Sequence, residues 1–208
     1  MPQPSAEGEG RVVYFCPPTK EAYFLRSRVG GSRNGCPMRA VKIKTQEDTT
    51  LIFESRFESG NLMKATQVSE FEYELQLRYD LYTNKHTQWF YFRIQNMRRG
   101  FKYRFTITNF MKPGSLYNDG MKPLLYSEIE AQKRNVGWKR TGEDIKYYKN
   151  YLKRTEGKVD RNFYSLTWTC VFSHDNDVCY FAHCYPYTYS DLQDYLLNLS
   201  NDPVCSKF

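Results

Sequence analysis

The sequence has 208 residues with 30 Lys and Arg against 23 Asp and Glu, a net charge of +7, and is 40% hydrophobic and 17% aromatic, with 18 Tyr and 14 Phe. Such a chain is too apolar to stay disordered, and its length allows one core that buries roughly 70% of the extended surface. No run approaches the ~18 apolar residues of a membrane helix, and the opening MPQPSAEGEG has neither the basic nor the apolar part of a secretory signal, so a soluble cytosolic chain with no membrane partner is expected.

Residues 1–10, rich in Pro, Gly, Ser and Glu, read as a flexible tail. Short strands are predicted at 11–15 and 22–27, then a turn-rich stretch at 29–37 around Gly30-Gly31 and Asn34-Gly35. No GKS or GKT follows those glycines, which removes a phosphate-binding loop. From Leu51 the period becomes two, with Leu51, Phe53 and Ser55 on one side. It is clearest at 71–78 (FEYELQLR), where Phe71, Tyr73, Leu75 and Leu77 alternate with polar residues, as in a strand with one wet face. Residues 88–96 (QWFYFRIQN) and 101–110 (FKYRFTITNF) follow, separated by Met97-Arg98-Arg99-Gly100, and are predicted to form a hairpin. Ser127 and Glu130 have the spacing of a capping box for a short helix to about Asn135. Further strands fit 163–172 (FYSLTWTCVF) and 178–183. Leu192, Tyr195, Leu196 and Leu199 recur at helical spacing, with Thr188 or Ser190 as cap. The fold class is therefore mainly β: an antiparallel β-sandwich with one or two short helices and a C-terminal helix.

Cys170, His174, Cys179, His183 and Cys184 are close in sequence, yet on a strand Cys179 and His183 would lie about 13 Å apart, too far to share a zinc with bonds of about 2.0–2.3 Å. Core and sheet-surface positions are the ordinary reading, and the six cysteines (Cys16, Cys36, Cys170, Cys179, Cys184, Cys205) are expected to be reduced. The charge map is more informative. Lys133, Arg134, Lys139, Arg140, Lys146, Lys149, Lys153, Arg154 and Lys158 face only Glu143, Asp144 and Glu156 in the same segment, a local +6 out of +7. Three readings stand: a solvated face, a patch for acidic protein tails, or a nucleic-acid surface, the last lacking any RNP-like strand or recognition-helix pattern. The loops 111–123 (MKPGSLYNDGMKP) and 184–188 (CYPYT) either rim a binding surface or only connect elements.

Several strings resemble the amino-terminal domain of the cytosolic carboxypeptidases, in the branch of types 2 and 3: 57–62 (FESGNL), 84–92 (NKHTQWFYF), 112–126 (KPGSLYNDGMKPLLY) and 180–189 (YFAHCYPYTY). The resemblance implies a β-sandwich accessory domain at 11–186, with 187–208 as linker and first helix of a zinc carboxypeptidase domain that follows in cis. It implies an enzyme that trims glutamates from tubulin tails and similar acidic, glutamylated proteins. It places that enzyme in the cytosol and at microtubules, centrioles or basal bodies. The family's zinc-binding HPGE motif, its later zinc-ligand histidine, its substrate-binding arginine and its catalytic glutamate have no matching positions here. No catalytic or metal residue is carried over, and no cofactor is expected within these residues. The competing expectation is a freestanding binding module for acidic protein or nucleic acid.

Overall fold

The computed structural model describes residues 1–6, 9–17, 39–80, 83, 85–156 and 159–204. The predicted strand at 22–27, the turn-rich stretch at 29–37, Cys36, Lys158 and Cys205 lie outside the described residues. Among the described residues twelve strands run in chain order: β1 (Arg11–Phe15), β2 (Arg39–Ala40), β3 (Ile52–Glu54), β4 (Leu62–Ser69), β5 (Glu72–Leu77), β6 (Tyr91–Gln95), β7 (Lys102–Phe110), β8 (Leu124–Ser127), β9 (Lys139–Arg140), β10 (Glu143–Glu156), β11 (Val159–Val171) and β12 (Cys179–Ala182). Helix α1 (Glu128–Arg134) follows β8, and α2 (Tyr189–Asn201) follows β12.

The strands make two sheets, one of seven in the order β10-β11-β7-β5-β4-β1-β2 and one of five in the order β3-β6-β12-β8-β9. All described pairings are antiparallel except β5 with β7. The period-two pattern decides which side chains meet between the sheets. Tyr73, Leu75 and Leu77 from β5, Tyr103, Phe105 and Ile107 from β7, and Leu166 and Trp168 from β11 face Phe92 and Ile94 from β6 and Phe181 from β12. Phe181 closes the interior, with ring centroids 5.3 Å from Phe105 and 5.4 Å from Trp168, while Trp168 stacks on Phe90 at 5.9 Å. Rings in such offset and edge contacts add to the burial of their area.

The predicted hairpin at 88–110 is corrected. β6 belongs to the five-stranded sheet and β7 to the seven-stranded one, so the two pack across the core instead of pairing. Positive φ at Asn96 (67°) and Gly100 (83°) swings the chain out of one sheet into the other. Buried Met97 and the Arg98 guanidinium, which donates to Gln46 O at 2.7 Å and Asn176 Oδ1 at 2.7 Å, hold that arch. A hairpin and an arch share the same alternation. They differ only in whether two apolar faces lie side by side or opposite each other.

Ser127 caps α1 by accepting from the Glu130 amide, and Asn135 ends it in the left-handed region. Its Glu130 carboxylate does not return to Ser127 but meets His174 Nε2 at 2.6 Å. Thr188 caps α2 with a full capping box with Asp191. The amino-terminal residues, expected to be a tail, hydrogen bond to Glu74, Tyr148 and Tyr151.

Candidate functional site

The eight described basic residues singled out by charge do not share one face. Lys133 and Arg134 end α1, Lys139 and Arg140 form β9, and Lys146, Lys149, Lys153 and Arg154 lie on β10. β9 is an edge of the five-stranded sheet and β10 an edge of the seven-stranded one, joined through Thr141 and Gly142. The positive charge therefore climbs one side of the sandwich from sheet to sheet. Two acids of the segment are turned aside: Glu143 and Asp144 sit 3.6 and 3.2 Å from Lys102 Nζ. Lys133, Lys139, Lys146, Lys149 and Lys153 form no ion pair among the described residues, which leaves their field open to an anionic partner. Arg140 and Arg154 are used structurally. The first donates to Lys122 O and stands over the Tyr185 ring, and the second lies over the Phe163 ring.

The β10 strand was not predicted, because β-bulges near Lys146 and after Lys149 break its alternation. Tyr147 points inward and donates to Lys112 O, while its amide is taken by Asn118 Oδ1 at 3.3 Å. The loop 111–123 is thus pinned along the β10 edge. Its buried Tyr117 hydroxyl lies 3.0 Å from His183 Nδ1, so the loop also closes the end of β12. Burial holds the His183 imidazole below its ordinary 6.5, with the Arg140 charge adding to the effect.

Of the residues considered for a metal, His174, His183 and Cys179 have hydrogen-bond partners of their own. His174 serves Glu130, whose carboxyl is lowered chiefly by that hydrogen bond, and Asp177 accepts from Ser127 and from the Cys179 thiol. Burial pushes the Cys170 and Cys179 thiols up, away from reactive thiolates. Cys170, Cys179 and Cys184 are free thiols. Among the described residues no group of three or more His, Cys, Asp and Glu side chains is placed to hold a metal ion. The described residues therefore do not fit a zinc site.

A groove of about 590 Å³ lies on the outer face of the five-stranded sheet, lined by Phe57, Tyr91, Arg93, Tyr126, Trp138 and Tyr180 and rimmed by Glu58, Glu128 and Thr188. Its rings touch in a circuit: Tyr91 to Trp138 at 5.8 Å, Trp138 to Tyr126 at 5.5 Å, and Tyr180 to Tyr126 and Tyr91 at 6.1 Å each. The Tyr180 hydroxyl donates to Glu128 Oε1 at 3.2 Å, and burial pushes the Tyr91 phenol up to about 12. This site was missed from the sequence. The signal for it is aromatic residues on both faces of QWFYFRIQN and of β12, where a strand with one wet face would carry polar residues. Beside the groove stands α2, held at its start by Ser190 N donating to Glu58 Oε1 at 3.0 Å. None of its residues is buried, and Leu192, Leu196 and Leu197 are 37%, 52% and 58% exposed.

Residues 53–184 match the family model described as the cytosolic carboxypeptidase N-terminal domain. The chain is 56% identical over 210 residues to cytosolic carboxypeptidase 2 of Homo sapiens, covering 100% of this chain and 23% of that protein. It is 56% identical over 206 residues to cytosolic carboxypeptidase 3 of Mus musculus, covering 96% of this chain and 20% of that one. The chain thus spans about a quarter or less of the length of these curated relatives. Among solved structures, a metallo-carboxypeptidase from Burkholderia cenocepacia aligns with 74% of this chain and 34% of its own, at 18% identity and a TM-score of 0.48. By its matched residues and its relatives, the chain belongs to the cytosolic carboxypeptidase family, as the N-terminal domain of that family.

Proposed function

We propose that this chain is the non-catalytic N-terminal domain of a cytosolic zinc metallocarboxypeptidase that removes glutamates from tubulin tails and other acidic glutamylated proteins. It supports the catalytic domain in cis, with residues 187–208 as the linker and first helix of that domain. Its basic edge guides the acidic substrate, and it works in the cytosol, at microtubules, centrioles or ciliary basal bodies. The zinc is assigned to the catalytic domain.

The observation that carries the reading is α2, whose apolar residues find no cover among the described residues although they stand next to an aromatic groove. A contiguous apolar surface of that kind is ordinarily an interface, and relatives four to five times longer supply a domain to cover it. The second support is the set of lysines along β9 and β10 that form no ion pair among the described residues. Charges so placed raise the encounter rate with an anionic chain more than its final affinity.

The test compares glutamate release from polyglutamylated tail peptides by this chain and by a longer chain that adds the carboxypeptidase domain. Release is expected only from the longer one, and zinc-dependent release by the 208 residues alone would overturn the reading. In the longer chain, reversing the charge at Lys146, Lys149 and Lys153 is expected to raise KM at low salt, with kcat unchanged. An unchanged KM would remove the guiding role.

A further inference from the structure

We propose that the outer face of the seven-stranded sheet is a docking site for an extended Pro-x-Pro-Ser segment, filled in cis by residues 2–5. Pro2 and Pro4 set φ near −65°, and Gln3, standing before a proline, is driven to the extended or polyproline II region. A segment of that form makes no internal hydrogen bonds, so its carbonyls need outside donors. This sheet provides them. The Tyr148 hydroxyl donates to Pro2 O, and the Tyr151 hydroxyl lies 2.7 Å from Pro4 O and 3.2 Å from Ser5 O. At the other end Glu74 Oε1 accepts both from Ser5 N at 2.8 Å and from Ser5 Oγ at 2.9 Å. Pro4 itself is buried.

Glu74 is on β5 and the two tyrosines are on β10, with β7 and β11 between them, so the segment crosses the strands. The floor it crosses is made for a close approach. In register from Glu74, the outward residues are Thr106 on β7 and Thr167 on β11, and Ser165 lies opposite Tyr148. They point away from the core that Phe105, Ile107, Leu166 and Trp168 fill, yet they are only 5%, 4% and 0% exposed. Small hydroxyl side chains make a shallow channel, and the long side chains of Tyr148, Tyr151 and Glu74 stand as its posts. The posts bind main-chain groups, while the buried Pro4 and the Ser5 hydroxyl supply the side-chain pattern. Aromatic hydroxyls reading the carbonyls of a proline-bearing extended chain are the chemistry of proline-rich peptide recognition. Gly10, at φ +82° with no room for a Cβ beside Gln67 O (2.7 Å), then turns the chain down into β1. The segment is thereby tethered to the sheet it covers.

The test keeps the whole chain. Ser5→Glu sets a carboxylate against Glu74 and is expected to eject the segment by like-charge repulsion. The labelled peptide Met-Pro-Gln-Pro-Ser-Ala should then bind the Ser5→Glu chain in trans and fail to bind the unaltered chain, whose site is filled. Adding Tyr151→Phe or Glu74→Gln should weaken that binding about tenfold, the scale of one lost hydrogen bond. Equal binding to both chains, equal binding of a proline-free control peptide, or no binding to a Ser5→Glu chain with intact circular dichroism would each overturn the proposal. Amide exchange gives a second reading that needs no variant. The Ser5 amide of the unaltered chain is expected to be protected, and exchange at the rate of a free peptide would overturn the site.

Discussion

Trp168 and Leu196 are both large apolar residues, each on an element whose spacing is plain in the sequence, yet one is fully buried and the other is 52% exposed. Trp168 lies on β11 between Phe90, Phe105 and Phe181, rings supplied by both sheets. Leu196 lies on a helix whose first turn is tied to the sandwich by the Ser190 amide donating to Glu58. The difference teaches that periodicity names the face and not the partner. The sandwich carries both halves of its interface, whereas α2 carries an exposed apolar stripe that the proposed function makes one half of another. A helix of 13 residues with no buried side chain is marginal in water, and it stands on its Thr188 and Asp191 cap.

The contrast can be broken most forcefully at the centre of the sandwich. Trp168→Ala should cost about 3–5 kcal/mol in chemical unfolding, since it removes a ring packed from three sides. A loss under ~1 kcal/mol would mean that the two sheets do not close there. Gly60→Ala comes next, at about 1–3 kcal/mol, because a Cβ would fall 2.3 Å from Ser55 O in the turn that leads into β4. At the helix, Thr188→Ala should remove about 1 kcal/mol of local stability, seen as lost helical ellipticity with no change in the thermal midpoint of the sandwich. A shifted midpoint would show α2 folding as one unit with the sheets.

The His183 contribution is read from pH. Its imidazole is depressed when folded, so the unfolded chain binds the proton more readily, and stability should fall as pH drops below 6.5 toward the lowered value. His183→Gln should flatten that slope while leaving the loss at lower pH from carboxylates such as Glu54 and Glu130, whose values are also lowered. The smallest effect is expected at Leu196→Ser, within about 0.5 kcal/mol for these 208 residues. The same change in a chain that continues into a carboxypeptidase domain should cost several times more. Equal, small costs in both would leave the α2 surface without a role as interface.

Much of the architecture was legible. The alternation at 71–78 and 163–172, the apolar faces of 51–55 and 88–96, the cap at Ser127 and the choice of Thr188 or Ser190 for the last helix are local patterns, set by the direction of successive side chains and by unsatisfied helix amides. What stayed hidden depends on non-local pairing. The arch between β6 and β7 reads like a hairpin, and β10 is masked by its bulges and its lysines. The basic segment was visible as charge, but its division between the edges of two sheets was not.

The sequence by itself determined a mainly β chain with an aromatic core, a family, and a local excess of positive charge, because alternation, composition and recognisable strings survive without a partner. Only the tertiary structure decided which sheet each strand joins, which acids are turned away from the basic edge, and that Glu74, Tyr148 and Tyr151 converge on residues 2–5. Those are relations between residues far apart in the chain. They exist only once the cost of closing long loops has been met by burial of the faces that close them.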